Sequence, residues 1–63
     1  MPREYLFEFH YRDGSVVPEP CGEYAGAAGF EVGWVLVIGG LSWRVRDVLP
    51  EAGYDARIIL DEQ

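Results

Sequence analysis

Cys21 and His10 are the side chains best suited to nucleophilic chemistry, and the chain has one of each. A cysteine nucleophile needs a base or an electropositive setting to lower its pKa. Cys21 lies between Pro20 and Gly22, with Glu19 and Glu23 close by. Those carboxylates raise a thiol pKa rather than lower it. His10 falls within an alternating aromatic run, beside Glu8 and Arg12 on its polar side, and nothing in the spacing brings it to Cys21. Both read as ordinary loop and surface residues, and the chain reads as not an enzyme. One histidine and one cysteine cannot make a His/Cys metal cluster, and a lone cysteine cannot form an internal disulfide. Gly22, Gly26 and Gly29 lack the following helix and the lysine of a phosphate-cradling loop. No metal or cofactor is expected.

The remaining candidates bind rather than react. Arg44, Arg46 and Arg57 fall on neighbouring strands and, with Tyr54, suggest an anion or nucleic-acid face. The competing reading pairs them with Asp47, Asp55, Asp61 or Glu31 across the sheet. The overall charge favours that second reading: 11 acidic residues stand against five basic ones, giving a net charge of -6. Such a field repels a polyanion. Glu23 and Glu51 belong to an acidic rim suited to a basic partner, and Tyr24, Trp34 and Tyr54 are aromatic anchors for a peptide. At least one of Trp34 and Trp43 is expected in the core.

Five elements must position these groups. Residues 5–12 alternate, with Tyr5, Phe7, Phe9 and Tyr11 on one face, as in a half-buried strand. Asp13-Gly14 predicts a tight hairpin into a second strand over 15–17. Pro18 ends that strand or confines its end to a sheet edge. Residues 18–29, rich in glycine and proline, predict the longest loop. A third strand is expected from 30 or 31 to 38, with Trp34, Leu36 and Ile38 on one face and Val35 and Val37 on the other. Both faces are apolar, so a dimer burying Val35 and Val37 is a further possibility for the second one. Gly39-Gly40 predicts another hairpin, leading into a strand over 41–49 whose alternation slips at Asp47-Val48, as at a β-bulge. A fifth strand covers 55–61, and Ile58 and Ile59 leave its inward face open.

The run Glu31-Val32-Gly33-Trp34-Val35-Leu36-Val37-Ile38-Gly39-Gly40-Leu41-Ser42-Trp43-Arg44-Val45 resembles one found in small SH3-like β-barrel proteins of uncharacterised bacterial and phage type. The resemblance implies a fold: all-β, a small five-stranded SH3-like barrel of antiparallel strands, forming one domain over 1–63. The function expected is that of a non-catalytic, acidic protein-protein interaction or accessory module. The alternative is a small nucleic-acid-binding barrel using the arginine face. The longest apolar stretch, about ten residues, is half of what a spanning helix needs, so no membrane partner is expected. A cytoplasmic setting follows from the single cysteine and the lack of a leader-like apolar segment.

Overall fold

The fold is seen in a computed structural model, which describes the backbone of residues 3–24 and 30–63 and the side chains of residues 4–20 and 30–63. It is all-β. The strands are β1 (Arg3–His10), β2 (Val16–Tyr24), β3 (Val35–Ile38), β4 (Leu41–Leu49) and β5 (Ala56–Glu62). They form one sheet in the order β2-β1-β5-β4-β3. The expected hairpin β1-β2 and the meander β3-β4-β5 are both present and antiparallel. The antiparallel barrel is corrected on two counts. β1 and β5 pair in parallel, from Tyr5 opposite Ala56 to His10 opposite Asp61. The sheet is also not closed, since β2 and β3 are its two edges and do not pair with each other.

Alternation on β1 places Tyr5, Phe7 and Phe9 in the core, opposite Ala56, Ile58 and Leu60 of β5. β4 adds Trp43 and Val45, and Phe30 caps the cluster before β3. The rings meet edge to face: Tyr5 with Phe30 at 4.9 Å, Phe9 with Trp43 at 4.8 Å, and Tyr11 with Trp43 at 5.0 Å. This arrangement sets the positive edge of one ring on the negative face of the next. Trp43 is the core tryptophan, 1% exposed, and its indole Nε1–H donates to the Ile38 carbonyl at 3.3 Å.

The slip anticipated on β4 is a bulge. Val45 stands opposite Leu60, yet Asp47 stands opposite Ile59, so Arg46 is the extra residue. The bulge returns Val48 to the core side, opposite Ile58. Gly39-Gly40 makes a two-residue turn with both φ angles positive, 60° and 82°, closing Ile38 onto Leu41. That is the type I′ geometry, whose twist matches the strands it joins. The first hairpin departs from expectation. Only Gly14 has positive φ, at 93°, so Asp13 is not in the conformation a type I′ turn requires. The Gly14 N–H donates to the Tyr11 carbonyl and the Tyr11 N–H to the Ser15 carbonyl, which gives a three-residue loop with glycine at its bulge. Asp13 fixes the loop by accepting from both the backbone N–H and the hydroxyl of Ser15. Those bonds, the hydroxyl's first, hold its carboxyl below the ordinary value of 3.8.

β2 also differs from the sequence reading. Of the two readings of Pro18 the edge position holds, but the strand runs nine residues, through Pro18 and Pro20 and into the segment expected as loop, of which 25–29 lie outside the described residues. β2 is an edge, so half of its backbone groups need no partner. The two prolines are two residues apart, and their nitrogens therefore point the same way, to the unpaired side. A bulge sets Cys21 and Gly22 against Tyr5 alone, between the pairs Leu6–Pro20 and Glu4–Glu23. β3 is shorter than expected, because 31–34 form a turn in which the Trp34 N–H donates to the Glu31 carbonyl. Among the described residues, no helix is long and apolar enough to cross a membrane.

Candidate functional site: the outer face and the open edge

The face of the sheet turned away from the core carries the arginines. Arg44 stands opposite Asp61 and beside the bulged Arg46, so those two share a face as anticipated. Arg57 joins them from β5. The structure then supplies each with a polar or acidic partner. Arg46 Nε lies 3.6 Å from Asp61 Oδ2, and Arg44 Nε donates to Gln63 Oε1 at 3.3 Å. Arg57 reaches Glu8 Oε2 at 3.2 Å and Glu51 Oε1 at 3.5 Å. Asp61 was among the acids expected to pair. Glu8 and Glu51 were not: Glu8 reaches Arg57 because β1 lies beside β5, and Glu51 comes from the connection between β4 and β5.

Glu8 is the hub of this network. Its second oxygen accepts from His10 Nε2–H at 2.8 Å. Arg46 also approaches His10, its Nη2 3.3 Å from both ring nitrogens. A donor equidistant from both lies off each lone-pair direction, so this contact is electrostatic rather than a directed bond. Beneath these groups is Ile59, 5% exposed although it faces away from the core cluster. Its register neighbours are Glu8 and Asp47, with Leu6, His10 and Arg57 on adjoining positions. The stems of the charged side chains cover it while their heads stay in water. Arg46 and Arg57 are thus charge-paired on the face that buries Ile59, while Arg44 has a neutral partner in Gln63.

Of the remaining sequence candidates, Tyr54 is half-buried in the turn before β5, where its N–H donates to the Glu51 carbonyl. Trp34 is 43% exposed and rests against Phe30, with ring centroids 6.3 Å apart. Glu23 and Tyr24 lie on β2 by backbone, and their side chains fall outside the described residues. So does the side chain of Cys21. The structure gathers Arg46, Arg57 and Glu51 into one network. Among the described side chains, Trp34 and Tyr54 do not come together as one platform.

A different surface stands open. β3 is an edge whose outward residues, Val35 and Val37, are 53% and 75% exposed. Val32 and Leu41 extend the same apolar border. Residues 32–42 contain no charged side chain. On the concave side, a cavity of about 380 Å³ lies directly behind the edge, lined by Phe7, Phe30, Leu36, Val37 and Ile38. A second, of about 230 Å³, continues toward β2 along Phe7, Phe9, Glu19, Pro20 and Ile38. The two edges compare sharply. β2 carries Pro18, Pro20, Glu19 and Glu23, residues that deter another strand from pairing. β3 carries no such residue. Val35, Val37 and Trp34 are legible in the sequence as an apolar strand; the hollow behind them is not, because its lining joins Phe7 of β1 to residues of β3. Comparison with protein-family models, with curated proteins and with solved structures finds no match to this chain.

Proposed function

We propose that this chain is a non-catalytic protein-interaction module that binds a partner by strand addition at β3. The observation that carries the reading is an unguarded, uncharged edge strand bordering an apolar hollow. In strand addition, main-chain hydrogen bonds supply affinity, and pockets that accept alternate side chains supply specificity. The free backbone groups of 35–38 would provide the first, and the cavity lined by Phe7, Phe30 and Leu36 the second. The single cysteine fits a module working in the cytoplasm.

The nucleic-acid alternative relies on arginines that already have partners, within a net charge of -6. Freeing them would cost those contacts before any phosphate was bound. A phage-displayed random peptide library, selected on the immobilised protein, tests the choice. Selected peptides should lose binding to Val35→Lys/Val37→Lys and keep it with Arg44→Ala/Arg46→Ala. The opposite pattern, together with salt-sensitive binding of a single-stranded oligonucleotide, would overturn the reading.

A further inference from the structure

We propose that the strand taken by the β3 edge is β3 of a second copy, giving a two-fold dimer with a continuous ten-stranded sheet. This rests on the reading of β3 as an interface and names its occupant. An antiparallel two-fold perpendicular to the sheet, centred on Leu36, keeps equivalent faces on the same side. It sets Val35 opposite Val37 of the second copy on the outer face. On the concave face it sets Trp34 opposite Ile38 of the second copy.

Three observations favour a second copy over another protein. First, each copy offers one exposed tryptophan, of the same strand parity as Leu36 and Ile38, and one apolar hollow lined by those two residues. A two-fold places each Trp34 beside the other copy's hollow, so one operation satisfies both. Isologous interfaces have this self-complementarity, and tryptophan is a characteristic anchor of them. Second, two copies at net charge -6 repel overall, yet the uncharged run 32–43 is the longest in the chain and includes this edge. Here a copy can approach without setting charge against like charge. Third, the chain guards β2 with prolines and glutamates and leaves β3 bare. For 63 residues without a disulfide, association is also a usual source of stability.

Sedimentation equilibrium of the full chain tests this, over about 1 µM to 1 mM, which brackets the affinities that small interfaces reach. The mass should rise from 7.1 kDa to twice that value. Val35→Glu/Val37→Glu and Val35→Lys/Val37→Lys should each remain at 7.1 kDa, with unchanged circular dichroism. An equimolar mixture of the two should regain the dimer, because opposite charges then meet across the two-fold. Trp34→Ala should weaken association by about tenfold or more, and dimer formation should shift Trp34 emission to the blue. A wild-type chain that stays at 7.1 kDa throughout overturns the proposal. So does dimerisation that persists in both charged variants. If the monomer still selects peptides that need Val35 and Val37, self-pairing alone has failed. If it selects none, the interface reading has failed with it.

Discussion

Replacing Trp43 by alanine should remove about a third or more of the stability of this domain. Trp43 is 1% exposed, lies against the rings of Phe9 and Tyr11, and donates its indole N–H to Ile38. Truncating a buried tryptophan costs about 3–5 kcal/mol, from lost transfer energy and the cavity left behind. A chain of 63 residues has roughly 3–9 kcal/mol in total, at the usual stability per residue. The alanine variant should therefore keep at most about 6 kcal/mol, and at the lower end of that range it should be unfolded without denaturant. Trp43→Phe keeps a ring against Phe9 and loses the bond to Ile38, so its cost should be about 1–2 kcal/mol. With a urea slope of about 1 kcal/mol per molar for a domain this small, the midpoint falls by roughly 1–2 M. Far-UV circular dichroism through a urea series reads both effects, at protein concentrations low enough to exclude association. Trp34→Ala is the comparison: a half-exposed ring whose loss should shift the midpoint by a small fraction of that amount. An alanine variant at Trp43 that unfolds within about 0.5 M of the parent would refute the packing argument, because no core residue of that size could then be so cheaply lost.

Glu8→Gln should cost about 1 kcal/mol, since it weakens bonds to both Arg57 and His10 at a half-buried site. Asp61→Ala, which loses one exposed 3.6 Å contact, should cost no more than about 0.5 kcal/mol; urea midpoints at low and high salt will rank the two. Asp13 has its carboxyl lowered by Ser15, so the folded loop prefers the charged form. Its stabilising contribution is present above the ordinary value of 3.8 and is lost as pH falls through the lower folded value. Melting temperature against pH should accordingly drop less steeply below that point in Asp13→Asn than in the parent. Gly40→Ala should cost about 1–2 kcal/mol from the positive φ alone, because an added Cβ at Gly40 meets nothing within 4 Å. Thermal unfolding will show it, and Gly40→Asn should recover part of the loss.

The legible parts of the fold were those written locally. Alternation of Tyr5, Phe7 and Phe9 marked β1 and its inner face. Gly39-Gly40 marked a turn with two positive φ angles, and the lost phase at Asp47-Val48 marked a bulge one residue away from where it lies. The illegible parts depended on distant segments. No local pattern reports that β1 and β5 run parallel, since their pairing joins the two ends of the described chain. Pro18 read as either a stop or an edge position, because a proline lacks the N–H that an interior strand needs, and nothing local chooses between the two. The edge position of β2 removes that requirement, and edge position is a property of the sheet order. The choice between Ile58 and Ile59 had no local answer because both are buried, Ile58 in the core and Ile59 beneath the ion network.

The same dependence on sheet order decides between the two candidate surfaces. On sequence alone, Arg44, Arg46 and Arg57 form a basic stripe, and Val35 and Val37 are simply the second face of an apolar strand. Placing β1 beside β5 brings Glu8 to Arg57 and His10 to Arg46, on the face that buries Ile59. Arg46 and Arg57 then have acidic partners that a phosphate would have to displace. Placing β3 at the end of the sheet has the reverse effect. It leaves backbone donors and acceptors unpaired next to exposed valines, which is a cost the chain avoids at its other edge with Pro18, Glu19 and Pro20. A surface the fold has already consumed is a poor docking site. A surface it leaves open on one edge, while guarding the other, is where a partner strand has most to gain.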